Sequence, residues 1–342
     1  YEGPAGSYWV MVAVEAVDRQ VLLYRSDDLT QWTFLSSYGP ARAVDGVWEC
    51  PDLFPLAVDG DPSDVRWVLL ISLNPGGIAG GSGTQYVIGR FDGVTFTADS
   101  EASDADIDWL DFGRDCYAGV TFDGLAREER TLIAWMSNWD YARYLPFAEN
   151  VLQHGMMTLP RRLSLVRAEG PNRSEGRIRL RQHPIVGALG PETVRDSAGV
   201  EARVTLIEQL PDAGRIVVRV DTQEASGFAV RLRCDASGEG GIVLSYDRGA
   251  RRLSLDRRAG SEDLHEFPSI EVMPVAGGHQ VELVIWLDRA SVEVFADGGT
   301  RVLTDLIAPQ SGAALAVEGI GGTVRIERIA VAAATVSATQ VD

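Results

Sequence analysis

Cysteine is scarce in this chain. Cys50, Cys116 and Cys234 are spread over 342 residues, too few and too scattered for a disulfide framework or a zinc site. Histidine is hardly commoner. His154, His183, His265 and His279 are dispersed, and no metal-ligand spacing links them, so no metal is expected. Positive charge is in the minority, 31 basic against 49 acidic residues, for a net charge of −18. That excess argues against nucleic acid and against anionic membrane surfaces. No apolar run approaches the length of a membrane span. No Gly-rich loop follows a strand and opens a helix, so no nucleotide cofactor is expected. A secretory leader is missing at residue 1 and so is an initiating Met. The chain opens on a turn-like Tyr1-Glu2-Gly3-Pro4-Ala5-Gly6 and runs straight into a strand, which reads as a processed or cut start.

What is present is apolar material in quantity. Hydrophobic residues make up 45 % of the chain, enough for a packed core, and the length suits two domains. An acidic, well-packed protein suits a neutral substrate such as a sugar.

The pattern is β throughout, with almost no helix. Tyr8–Val14 is a buried-strand run, followed by a strand over Gln20–Tyr24 and a turn at Ser26–Thr30 into Trp32–Phe34. The same order returns. Arg66–Ser72 and Gln85–Gly89 are strands, and Arg90-Phe91-Asp92-Gly93 turns into Thr95-Phe96. A third copy starts at Arg130–Trp135. The first two copies begin 58 residues apart, Trp9 to Trp67, close to a propeller blade with loop insertions such as the Gly-rich 74–83 stretch. A sandwich with chance similarity is the alternative. The stretch 170–176 is a turn, and Pro184 with Gly190-Pro191 marks a passage to a second domain. From about 201 short strands alternate. Val281, Leu283, Ile285 and Leu287 share one face, as do Val292 and Val294, which predicts an antiparallel β-sandwich. The expected division is propeller over 1–185, connection over 186–200 and sandwich over 201–342.

The chemistry centres on Trp48-Glu49-Cys50-Pro51-Asp52-Leu53-Phe54. A carboxylate among large apolar residues is disfavoured as an anion, and a carboxyl still protonated near neutrality can serve as a general acid. A rim carboxylate beside an ordinary strand is the plainer reading of these residues alone. Cys50 either tunes Glu49 or is a small buried hydrophobe. Trp135, Asn138, Trp139 and Tyr141 offer aromatic faces and an amide, suited either to a sugar pocket or to core packing. Asp115 and Tyr117 are candidates for hydrogen bonds to sugar hydroxyls, with a structural turn carboxylate the alternative for Asp115.

Glu49-Cys50-Pro51 with Asp52-Leu53-Phe54 resembles the "EC" motif of glycoside hydrolase family 32, the invertases, inulinases and levanases. Further likenesses follow in that family's order: Gly83–Gly89 with Phe91-Asp92-Gly93, Asp115-Cys116-Tyr117-Ala118, Trp135–Trp139, Met157-Thr158-Leu159-Pro160-Arg161 and Asp288–Phe295. The resemblance covers nearly the whole chain. It implies a five-bladed β-propeller, with its N-terminal blades incomplete here, plus a C-terminal β-sandwich. It implies a secreted β-fructosidase acting on levan, inulin or sucrose by a retaining mechanism, with Glu49 as acid/base and no cofactor. Asp115, Tyr117, Trp135 and Asn138 become candidate substrate contacts. A sucrose-phosphate hydrolase fits the acidic charge less well. The family's nucleophile belongs to an Asn-Asp-Pro-Asn-Gly-type motif and its transition-state stabiliser to an Arg-Asp-Pro motif. Neither occurs in this sequence, and both are expected upstream of it. The chain as given is therefore expected to be catalytically incomplete and to self-associate through unpaired edges. Two departures put substrate contacts in doubt: Gln153-His154-Gly155 stand where the family often has Trp-Arg-Gly, and Arg162 replaces the usual Glu. A non-catalytic carbohydrate-binding protein of the same fold is the alternative.

Overall fold

The computed structural model describes residues 1–3, 6–100, 107–145, 155–168 and 177–335. The turn expected at 170–176 and the pair Gln153-His154 lie outside them. Among the described residues there is no α-helix, only short 3₁₀ turns at Arg127–Glu129, Ala142–Tyr144 and Asp297–Gly299.

The N-terminal half is built of antiparallel meanders. A small hairpin, β1 (Glu2–Gly3) and β2 (Gly6–Ser7), precedes a three-stranded sheet of β3 (Trp9–Glu15), β4 (Gln20–Ser26) and β5 (Thr33–Tyr38). A four-stranded meander follows: β6 (Val47–Val58), β7 (Asp61–Asn74), β8 (Gly83–Phe91) and β9 (Phe96–Ala98). After β10 (Asp108–Trp109), a second meander runs β11 (Tyr117–Thr121), β12 (Thr131–Trp135), β13 (Arg161–Ala168) and β14 (Arg177–Pro184).

These sheets are the propeller blades. The three sequence copies correspond to β3, β7 and β12, and one turn device recurs. The Asp28 carboxylate accepts from the backbone N–H of Thr30 and Gln31, both at 2.8 Å. Asp92 does the same for Val94 and Thr95, at 2.9 and 2.7 Å. Alternation along β7 feeds two cores. Leu69, Ile71 and Leu73 pack on one side, Val68 and Leu70 on the other. A strand buried on both faces therefore reads as an unbroken apolar run.

The C-terminal half is a sandwich of two six-stranded sheets. Its strands are β15 (Thr193–Val200), β16 (Val204–Ile207), β17 (Gly214–Asp221), β18 (Gly227–Cys234), β19 (Ile242–Asp247), β20 (Arg252–Asp256), β21 (Ile270–Pro274), β22 (Gln280–Leu287), β23 (Ser291–Ala296), β24 (Arg301–Leu306), β25 (Ala314–Ile320) and β26 (Val324–Ala333). One sheet runs β15-β26-β17-β22-β23-β24 and the other β16-β25-β18-β19-β20-β21. β15 falls inside the stretch 186–200 and pairs with β26 along its length. Val281, Leu283, Ile285 and Leu287 are buried in the shared core.

β23 and β24 are buried at every residue, because their outer face meets the propeller half. The segment before β11 also lies along β24, the last strand of its sheet. Phe112 N–H donates to the Val302 carbonyl at 2.8 Å and Asp115 N–H to that of Thr304 at 3.1 Å. An edge that would otherwise be open is thereby closed.

Candidate active site

Glu49 and Tyr117 stand at equivalent ends of the first strands of two successive blades, β6 and β11, which pack on one another. The Tyr117 hydroxyl donates to Glu49 Oε2. Burial first, and the bond to the carboxylate second, push the Tyr117 hydroxyl far above its usual range. It therefore stays a donor at every working pH.

Both residues owe their direction to a break in the ladder. The β6–β7 register shifts between Glu49 and Asp52, and the β11–β12 register between Tyr117 and Val120. Directly after each of these two residues the backbone turns left-handed, with φ of 46° at Cys50 and 53° at Ala118. For a non-glycine residue that conformation costs about 1–2 kcal/mol. Such bulges re-aim side chains at strand ends beside active sites.

The loop ahead of Glu49 is fixed from beneath. Trp48, on the opposite face of β6, is fully buried and its indole N–H donates to the Ala43 carbonyl at 2.8 Å. The buried Gln85 amide holds both backbone groups of Ala43, donating to Ala43 O and accepting from Ala43 N–H, each at 3.0 Å. Gln85 thus fixes the loop before Glu49 from below. The Gly-Thr-Gln-Tyr stretch was noticed in the sequence, but its amide's task was not.

The surroundings of Glu49 differ from the sequence expectation. Trp48 points away into the core, Cys50 is exposed rather than a buried hydrophobe, and Glu49 itself is half-buried. Tyr117, not the apolar neighbours in sequence, is its partner. From Tyr117 an aromatic row leads outward. Tyr117 and Trp135 are cross-strand partners with ring centroids 6.4 Å apart, and Trp135 is bridged on its other side to Met157. The Trp139 ring lies 4.9 Å from that of Trp135. Glu49, Tyr117 and Trp135 are therefore brought together.

Asp115 and Asn138 are not. Asp115 is fully buried. One oxygen accepts from Tyr141 Oη at 2.6 Å, and the other from Arg257 Nη1 at 2.6 Å and Leu306 N–H at 2.8 Å. With both oxygens engaged at the domain junction, Asp115 has nothing left for a sugar, so the substrate contact expected of it is corrected. Tyr141 is buried with it. The Asn138 amide, also fully buried, donates to the carbonyls of Gly80, Ser82 and Arg114 at 3.1, 3.3 and 2.9 Å and accepts from Asp140 N–H at 3.1 Å. It brackets loops rather than standing with Glu49, Tyr117 and Trp135, and its expected sugar contact is corrected likewise. Asp52, close to Glu49 in sequence, gives one oxygen to Thr121, whose N–H and hydroxyl both donate at 2.7 Å. A cavity of about 400 Å³ between the two halves, lined by Met136, Ile185, Trp286 and Leu287 among others, meets this row only at Met157.

Residues 2–184 match the family model for the glycosyl hydrolases family 32 N-terminal domain, and residues 187–333 the model for the family 32 C-terminal domain. An extracellular exo-inulinase of Aspergillus niger is 33 % identical over 321 residues, an alignment covering 89 % of this chain and 58 % of that protein. A levanase of Bacillus subtilis (strain 168) is 34 % identical over 344 residues, with 94 % and 48 % covered. The chain thus spans about half to three-fifths of the length of these relatives. The crystal structure of an exo-inulinase from Aspergillus awamori superposes with a TM-score of 0.86 at 30 % identity, over 96 % of this chain and 65 % of that one. At 17 % identity and a TM-score of 0.81, a β-fructofuranosidase from Schwanniomyces occidentalis, complexed with fructosyl-erythritol, shares the fold.

Proposed function

Because this chain belongs to glycosyl hydrolases family 32, we propose that it carries the acid/base side of a retaining β-fructosidase site, with levan or inulin as substrate ahead of sucrose. The observation that carries this reading is Glu49, half-buried, held by the Tyr117 hydroxyl at the start of an aromatic row that ends in an exposed Trp. Sugars present apolar C–H faces to aromatic rings and hydroxyls to polar edges. The relatives named extracellular exo-inulinase and levanase support the substrate class and a secreted setting.

In the first step Glu49 gives its proton to the glycosidic oxygen as the bond to the anomeric carbon breaks. A second carboxylate, about 5–5.5 Å away in retaining enzymes, bonds that carbon from the opposite face. In the second step Glu49, now an anion, takes a proton from water as the water displaces the carboxylate. The hydrogen bonds of Asp52 to Thr121 and of Asp115 to Arg257 argue against either as that nucleophile. Tyr117 holds Glu49 in line, and Trp135 floors the fructosyl unit.

The test is fructose release from levan, inulin and sucrose by the protein that contains this chain, against its Glu49→Gln variant. The amide keeps the shape and loses the proton. Release is expected to fall about 10²–10⁴-fold while fructose binding persists. Near-normal turnover in the variant would remove the assignment.

A further inference from the structure

Trp139 is the one large residue of the row that the proposed cleavage step does not use. Its side chain is 56 % exposed, yet its backbone is held firmly. Its N–H donates to Ser82 Oγ at 3.3 Å. The Asn138 amide just before it ties Gly80, Ser82 and Arg114 together. On its other side Asp140 pairs with the buried Arg114 guanidinium at 2.5 Å. An indole displayed to solvent on a rigid loop loses little freedom when a ligand covers it. Its ring is tilted 52° to that of Trp135, so the two rings form an angled shelf and not a stacked pair. From Glu49, contacts run through Tyr117 and Trp135 to the outer leaf of that shelf.

We propose that Trp139 is a stacking platform for sugar units of a fructan beyond the fructosyl unit that is cleaved, and that it sets a preference for oligosaccharides over short substrates. The inference rests on the fructosidase reading above and deepens it. The apolar C–H face of a furanose would lie on the outer indole face, with its hydroxyl edge left to water. Exposed Met157, bridged to Trp135, flanks the same path with a soft, adaptable surface.

Titration calorimetry on the protein that contains this chain, with fructose and then with inulin-type fructo-oligosaccharides of increasing length, tests this without relying on turnover. The wild-type protein is expected to bind longer ligands more tightly than fructose. Trp139→Ala should weaken the long ligands about tenfold, leaving fructose unchanged and the far-UV spectrum native-like. Trp139→Gln should behave as Trp139→Ala does, and Trp139→Phe should keep most of the gain. If either polar or truncated variant retains the wild-type gain with length, or loses fructose and long ligands equally, the platform is disproved. If the protein that contains this chain binds neither fructose nor any oligosaccharide, the fructosidase reading fails and the platform falls with it.

Discussion

A half-buried carboxylate can rotate, and Glu49 is kept from doing so by one phenol. The Tyr117 hydroxyl reaches Glu49 Oε2, and burial with that bond keeps it protonated. Removing the hydroxyl leaves the carboxyl group and the fold but not the aim. Tyr117→Phe is therefore expected to slow fructose release by up to about 10²-fold, the usual penalty for slight misplacement of a reacting group. Fructose affinity should hardly change. Initial rates together with calorimetry would show it, and an unaltered rate would mean that something else aligns Glu49. At this scale the sequence named Glu49, Tyr117 and Trp135, and the fold sets Tyr117 against both of the others. The roles of Asp115 and Asn138 were not legible. A carboxylate or amide serves a sugar hydroxyl, a buried guanidinium or an open peptide equally well. Only the fold revealed that Arg257, 142 positions away, stands beside Asp115.

Among the elements, the repeat was readable because apolar runs and Asp turns recur in a fixed order, whereas the bulges were not. Cys50 and Ala118 sit left-handed, where Gly or Asn is the usual occupant, so nothing in the residue types announced them. The loop that carries Trp139 was equally silent. Its order depends on one amide that meets five backbone groups, with Ser82 N–H at 3.3 Å completing the set given above. Asn138→Ala strips these partners in a place that water does not reach. Each buried polar group left unpaired costs about 1–3 kcal/mol, so the urea midpoint is expected to fall clearly, with the dependence on urea unchanged. Trp139→Ala, one residue along and exposed, should leave the midpoint where it was. Equal effects from the two would deny the bracket its role.

Over the whole molecule, several of the sequence likenesses meet at the junction of the two halves instead of beside Glu49. All 31 basic residues are arginine, and two of them, Arg161 and Arg257, lie fully buried there. Arg161 bonds Asp111 at 3.0 Å, Gln182 at 2.9 Å, and Glu293 and Thr304 at 2.7 Å each, so a blade strand and two sandwich strands share one fork. Around Arg257 the carboxylates are in excess. Asp115 is at 2.6 Å, Asp305 at 3.7 Å and Glu271 at 3.9 Å. Neither Glu271 oxygen makes a hydrogen bond, and nor does Asp305 Oδ2. One guanidinium does not neutralise three anions in a dry interior, so a proton is retained. Burial, and next the charge of Glu271, hold the Asp305 carboxyl well above its ordinary value of 3.8. A folded-state value raised above the unfolded one means that the folded protein binds the extra proton. The stability linked to Asp305 is thus fully present below about pH 3.8 and is lost as the pH rises through the folded-state value. Asp305→Asn carries no charge to lose, and its amide oxygen still accepts from Arg114 N–H, as Asp305 Oδ1 does at 2.8 Å. Glu293 and Asp297 are shifted in the same direction, but they are common to both proteins and cancel in the comparison. The stability of Asp305→Asn relative to wild type is therefore expected to rise between pH 4.5 and pH 8, measured as the difference in urea midpoints. A difference that stays flat, or that falls because Arg257 has lost an anion it needs, would show that Asp305 is ionised in the folded protein and that the junction holds no proton there.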